Sequence, residues 1–268
     1  MKPELVVFSD ARELGRALAG EIADGIESAG ADGRRYLLGC PGGRSPRTTY
    51  EALVEIVAER NITLSHLTIV MMDDYVVQDA DGVFAAVSPD AHFSVARFAH
   101  DVIVNPLNAA APSGGGIHPD NVWFPNPASP EVYDQQISDS GGIDLFILAS
   151  GDSDGHVAFN PPGTSADSRT RIIDLADTTR SDNLGTFPDF ASLADVPHHG
   201  ISVGIATIRE LSRRVVLVAP GSAKTMAVKR LAVASTYESD WPATVLSDCS
   251  RPSLYADASA MKEQFDSE

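Results

Sequence analysis

Lysine is scarce in this chain. Four lysines stand beside sixteen arginines, against 37 acidic side chains in 268 residues, and the formal net charge is −17. That charge is spread along the whole length rather than gathered in a tail. Such a field repels nucleic acid and anionic membrane surfaces, so neither is expected as a partner. Any anion the protein binds must therefore meet a local positive site, and each well-placed cation becomes informative. Cysteine is scarcer still: Cys40 and Cys249 lie far apart and in no metal-ligand spacing. That pattern suits a reduced, cytoplasmic chain and leaves a single disulfide open. No run approaches the roughly 20 apolar residues of a membrane span. The opening MKPELVVFSDARELG meets acidic residues within its first 13 positions and lacks the apolar centre of a signal peptide. There is no GxGxxG, no Walker loop and no HExxH, and His198-His199 has no cysteine beside it. No cofactor and no metal ion is expected.

What is present is enough apolar residue, 43%, to bury a full core. Short apolar runs alternate with segments of helical period. Leu5 to Phe8 reads as a strand, and Ser9-Asp10 with Glu13 three residues on reads as a helix cap. Leu14, Leu18, Ile22 and Ile26 then recur every four residues, one apolar helix face. Further strands are expected at Tyr36 to Gly39, Leu67 to Met72, Leu145 to Ala149, Ile201 to Val203, Arg214 to Ala219 and Ser253 to Ala256. Helices are expected from about Pro46 to Arg60 and Ser222 to Ala234, with a short one closing the chain. This alternation predicts one α/β domain over residues 1–268, with a mostly parallel sheet covered by helices on both faces. Residues 78–130 and 160–200 read as loop-rich, and loops of that length line a site or form a lid.

Ligands of open parallel sheets sit at the carboxyl ends of the strands, and four unusual segments follow predicted strands. Cys40-Pro41-Gly42-Gly43-Arg44-Ser45-Pro46 offers paired glycines and a helix N-terminus suited to phosphate, or a plain tight turn with Pro46 at the first helical position. Asp73-Asp74 places two carboxylates at a strand end, where burial raises the pKa of at least one and poises a general base, or else a pair of loop caps. Asp154-Gly155-His156 sets a carboxylate and an imidazole two residues apart on a sharp turn, able to move protons at neutral pH. Pro220-Gly221-Ser222-Ala223-Lys224 puts one of the few lysines at a helix start, where an ammonium suits a phosphate.

In order along the chain, PGGRSPRTTYEAL, MMDDYV, GDSDGHVAFNPPG, SADSRTRI, VPHHGISVGIATI and APGSAKTMAV resemble the glucosamine-6-phosphate isomerase/deaminase family, whose superfamily includes the 6-phosphogluconolactonases. The resemblance implies a Rossmann-like fold and a sugar phosphate as small-molecule partner. It implies that Asp73 is the base moving a proton between C1 and C2, with Asp74 its neighbouring acid, in contact with the substrate. It further implies that His156 opens the sugar ring with Asp154 beside it, and that Gly42, Gly43, Ser45 and Lys224 hold the phosphate. Three departures stand out. The family's Asn-Glu-Pro step, whose Glu orients the ring-opening His, reads Asn160-Pro161-Pro162 here. Arg44 stands where the loop normally carries glycine, and Asn183-Leu184-Gly185-Thr186 lacks the family's phosphate-gripping cation; Arg44 is expected to supply that charge. Arg171 matches an effector-binding position of hexameric deaminases, but the companion lysine is Ile173. A lactonase, whose superfamily members also lack the Glu, and a sugar-phosphate binder without catalysis are the alternatives; assembly into a homo-oligomer is left open.

Overall fold

Successive residues of the central strands part into two cores. In the computed structural model, which describes residues 2–262, Leu38, Ile69, Ile147 and Val216 join one apolar cluster. Their neighbours Leu37, Val70, Phe146 and Val215 join another. Alternate side chains leave a strand on opposite faces, so a strand apolar at every position requires cover on both. Seven parallel strands form this sheet, in the spatial order β1 (Glu4–Phe8), β11 (Pro252–Asp257), β10 (Val215–Ala219), β7 (Leu145–Leu148), β2 (Tyr36–Cys40), β3 (Leu67–Met71) and β6 (Val122–Trp123).

One face is covered by α1 (Ala11–Ala31), α2 (Arg47–Arg60) and a helical run over 95–110. That run comprises α3 (Val95–Phe98), a wider π-type segment Ala99–Val104 and α4 (Asn105–Ala110). The other face is covered by α5 (Glu131–Asp139), α7 (Ile205–Glu210) and α8 (Thr225–Val233); α6 (Asp177–Thr186) stands over the end of the sheet that carries the candidate site. The cap of α1 is as the sequence predicts: Asp10 accepts from the Arg12 and Glu13 amides, and Glu13 accepts from the Ser9 amide at 2.7 Å. Leu14, Leu18, Ile22 and Ile26 are fully buried, each contributing about 1.5–3 kcal/mol by leaving water.

A second sheet departs from the expectation. Ile201 to Val203, read as a strand of the parallel sheet, belongs to an antiparallel one: β5 (Phe84–Ala86), β4 (Asp73–Gln78), β9 (His199–Ser202) and β8 (Arg171–Asp174). A short apolar run carries no signal of its pairing partner, so periodicity could not separate the two sheets. The chain passes from one to the other at Met72, whose amide reaches Cys40 and whose carbonyl accepts from Val203 at 2.8 Å. Residues 78–130 and 160–200, expected as loops, hold the 95–110 helical run, β8 and α6. The helix expected from Ser222 opens as a 3₁₀ turn, Ser222–Lys224, before α8. Of the expected closing helix, 258–262 forms turns and the rest lies outside the described residues. Cys40 and Cys249 are separate buried thiols, both pushed up to about 12 chiefly by burial.

Candidate active site

Strands β10, β7, β2 and β3 are neighbours at the centre of the sheet. From β2 the chain continues to β3 and β6 on one side, and from β7 to β10 and β11 on the other. The strand order therefore reverses between β2 and β7, and the connections splay apart into a crevice beyond their carboxyl ends. Each of these four strands leads into one of the four segments singled out above. Gly42, Gly43, Arg44, Ser45, Asp73, His156 and Lys224 all line a single cavity there.

Asp73 and Asp74 are consecutive in β4, so their side chains leave on opposite faces. Asp73 lines the cavity and is 6% exposed. Burial, with the Asp74 charge second, pushes its carboxyl up to about 8. Asp74, expected to touch the ligand, does not line the cavity. Its Oδ1 accepts from the backbone amides of Tyr75 at 2.8 Å and Val95 at 3.0 Å, securing the start of α3. Burial raises its pKa to about 6, against those amide bonds. Strand alternation thus gives the two acids different tasks.

The turn after β7 builds a carboxylate–imidazole pair. Asp154 Oδ1 accepts from the His156 backbone amide at 3.0 Å and lies 2.8 Å from His156 Nδ1. Its Oδ2 accepts from the Thr178 hydroxyl. Burial pushes the Asp154 carboxyl up, but the bonds from His156 and Thr178 outweigh it and hold the group below the usual carboxylate range. An ionised carboxylate at Nδ1 fixes the proton there and leaves Nε2 for the cavity. Two glycines make room. A Cβ at Gly151 would lie 2.3 Å from His156 Nδ1 and 2.4 Å from Asp154 Oδ1; Gly155 turns at φ +66 with the Trp241 ring 2.3 Å from where a Cβ would be.

His156 is therefore oriented by Asp154, from within its own turn. Pro161 does not line the cavity; its carbonyl accepts from the Thr164 amide and hydroxyl in the next turn. The preceding Asn160 is fully buried and bonds Val157 and Val203 through Nδ2, while Arg171 donates to its Oδ1 at 3.0 Å. Arg171, matched above to an effector position, is thus engaged in tying this turn to β8.

Lys224 contacts the Ser150 carbonyl and the Asp152 carboxylate. Arg44 reaches towards α6: its guanidinium nitrogens lie 3.7 Å from where a Cβ on Gly185 would be. Among the described residues it makes no ion pair. α2 has no acidic residue in its first turn and no side-chain cap, so Arg44 and Arg47 add positive charge to a helix end that already repels it. Such an end favours an incoming anion. Sequence reasoning missed Asp152, Thr179, Asp182 and Asn183, which also line the cavity. The last three share one face of α6 with Thr186, a polar stripe at i, i+3, i+4 and i+7 that a search for apolar periodicity passes over.

A buried carboxyl, an oriented imidazole and the cations Arg44 and Lys224 around one crevice make a site able to move protons on a small anionic ligand. The family profile described as glucosamine-6-phosphate isomerases/6-phosphogluconolactonase matches residues 9–254, and the chain belongs to that family. The glucosamine-6-phosphate deaminase of Pseudarthrobacter chlorophenolicus is 35% identical over 228 residues, 84% of this chain and 79% of that one. Glucosamine-6-phosphate deaminase 2 of Bacillus subtilis is 30% identical over 266 residues, 97% of each. The solved structure of a monomeric glucosamine-6-phosphate deaminase is similar with a TM-score of 0.82 at 26% identity, over 97% of this chain and 100% of that one. A 6-phosphogluconolactonase from Leishmania guyanensis shares the fold, with a TM-score of 0.67 at 15% identity over 98% of this chain and 99% of its own.

Proposed function

We propose that the protein is an isomerase/deaminase of a hexose or hexosamine 6-phosphate, working by acid–base aldose–ketose isomerisation. Asp73 takes the C2 proton of the open-chain sugar and returns a proton at C1, through an enediol or enolamine. His156, with Nδ1 held by Asp154, offers Nε2 to the ring oxygen and anomeric hydroxyl during ring opening. The phosphate rests against the Gly42-Gly43 backbone and Ser45, with Arg44 and Lys224 supplying charge. The observation that carries this reading is the desolvated Asp73 carboxyl sharing one cavity with the Asp154-oriented imidazole. The 30–35% identical relatives named glucosamine-6-phosphate deaminase support it. The reading treats the chain as one domain, because β4 and the parallel strands both contribute to the site. A cytoplasmic place of action belongs to it, where phosphorylated sugars are retained. No helix among the described residues is long and apolar enough to cross a membrane.

The test is to incubate the purified chain with glucosamine 6-phosphate and, separately, with 6-phosphogluconolactone. Fructose 6-phosphate, with ammonia, supports the reading; hydrolysis of the lactone alone replaces it with the lactonase. Arg44 gives a second check. Arg44→Ala is expected to weaken binding of a hexose 6-phosphate by roughly 10- to 100-fold, the range of a hydrogen bond to a charged group. Equal affinity in calorimetry would remove Arg44 from the phosphate site.

A further inference from the structure

Three polar atoms in the cavity wall are left without partners. Tyr75 Oη, Thr179 Oγ1 and Asn183 Nδ2 are buried and make no hydrogen bond among the described residues. All three residues line the cavity, and Thr179 is only 2% exposed. Tyr75 and Asn183 face one another, yet no well-aligned bond joins them. Buried side-chain polar atoms nearly always find a partner, so each exception calls for a reason. Other unpartnered hydroxyls, such as Thr68 in β3, sit in the packed core, whereas these three border an open cavity. Asp182 stands between Thr179 and Asn183 on the same helical face. Asp154 is bonded to His156 and Asp152 to Lys224, while the Asp182 carboxyl makes no hydrogen bond or ion pair among the described residues.

This stripe is chemically mixed. The threonine and tyrosine hydroxyls both donate and accept, the asparagine amide donates, and the carboxylate accepts. A simple anion would leave the acceptors unmet and a plain hydrocarbon would leave all of them unmet. A sugar hydroxyl, which donates one bond and accepts two, meets such a set, and Phe159 and Phe187 in the same wall offer apolar surface to ring carbons.

We propose that Thr179, Asp182 and Asn183 on α6, with Tyr75 opposite Asn183, form the subsite that reads the hydroxyl and amino groups of a phosphorylated polyol or sugar, and so determine which one is accepted. This rests on the sugar-phosphate reading of the site and adds the residues that select among sugars. A ligand lacking the matching groups leaves buried polar atoms unpaired, the arrangement from which enzymes draw their largest discrimination. Within this subsite the Asp182 carboxylate is the group suited to an ammonium, the form that the amino group of a hexosamine takes.

The test is Thr179→Val, which keeps the shape and removes the hydroxyl, with Asp182→Asn as a second conservative variant. Calorimetry would use glucosamine 6-phosphate, glucose 6-phosphate and inorganic phosphate. Thr179→Val is expected to weaken both sugar phosphates roughly tenfold or more and leave inorganic phosphate unchanged. The same variant should raise the unliganded melting temperature by about 2–4 °C, because it removes an unpaired buried hydroxyl. Asp182→Asn should lower the ratio of glucosamine 6-phosphate to glucose 6-phosphate affinity by roughly tenfold. Sugar phosphates bound equally by wild type and both variants would overturn the subsite while leaving the proposed function standing. A wild type that binds inorganic phosphate and neither sugar phosphate would overturn both.

Discussion

Asp73→Asn is expected to lower turnover by roughly 10²–10⁴-fold, the contribution of one positioned acid–base group, with the Kd for a hexose 6-phosphate little changed. The same substitution should stabilise the protein in alkaline solution. In the folded chain burial holds the Asp73 carboxyl protonated up to about 8, against an ordinary value of 3.8. Between those two values the folded state keeps a proton that the unfolded chain has released. Stability therefore falls as pH rises through that window and stays low above it. Asparagine removes this penalty, so the variant should match wild type near pH 4 and exceed it at pH 9, by an amount on the order of a few kcal/mol. Denaturant titrations at the two pH values measure the difference directly. In the wild type, kcat/KM should rise with pH as the base form fills, levelling above about 8. A flat profile, or a variant no more stable at pH 9, would mean that Asp73 is ionised throughout.

Gly151→Ala is the second large effect. A methyl group there would overlap both His156 Nδ1 and Asp154 Oδ1, and the pair can yield only by parting. Turnover should drop by roughly 10²–10⁴-fold, as though the imidazole had lost its role, with a stability loss of about 1–3 kcal/mol from overpacking. Asp154→Asn, which preserves the shape but not the charge, should also lower activity, and it should cost stability at neutral pH, because the bonds from His156 and Thr178 favour the ionised carboxylate. An alanine variant retaining most of its turnover would show that ring opening does not need the Asp154–His156 geometry.

Much of this molecule is legible in its sequence where the signal is local. The cap formed by Ser9, Asp10 and Glu13 and the four-residue spacing of Leu14, Leu18, Ile22 and Ile26 place α1 correctly, because each depends only on residues one helical turn apart. The gathering of the four loops around one cavity is legible because parallel strands deliver their carboxyl ends to one edge whatever the details of packing. What escapes depends on distant partners. The pairing of β9 with β4 and β8 is invisible in an apolar run. The separate tasks of Asp73 and Asp74 follow from which face of β4 meets the cavity. Pro161 looks like the loss of an orienting group until Asp154 is seen bonded to the same imidazole. The stripe on α6 was hidden because it is polar, and a polar helix face reads as solvated surface until it is found against a cavity.

The most direct measurement is proton NMR of the chain in heavy water with glucosamine 6-phosphate, following the C2 proton. Loss of that signal by exchange, or with ketose formation, and its persistence in Asp73→Asn, is the result predicted for carbon-acid chemistry at Asp73. A C2 proton that persists in the wild type while the sugar phosphate is demonstrably bound would contradict the isomerase/deaminase account.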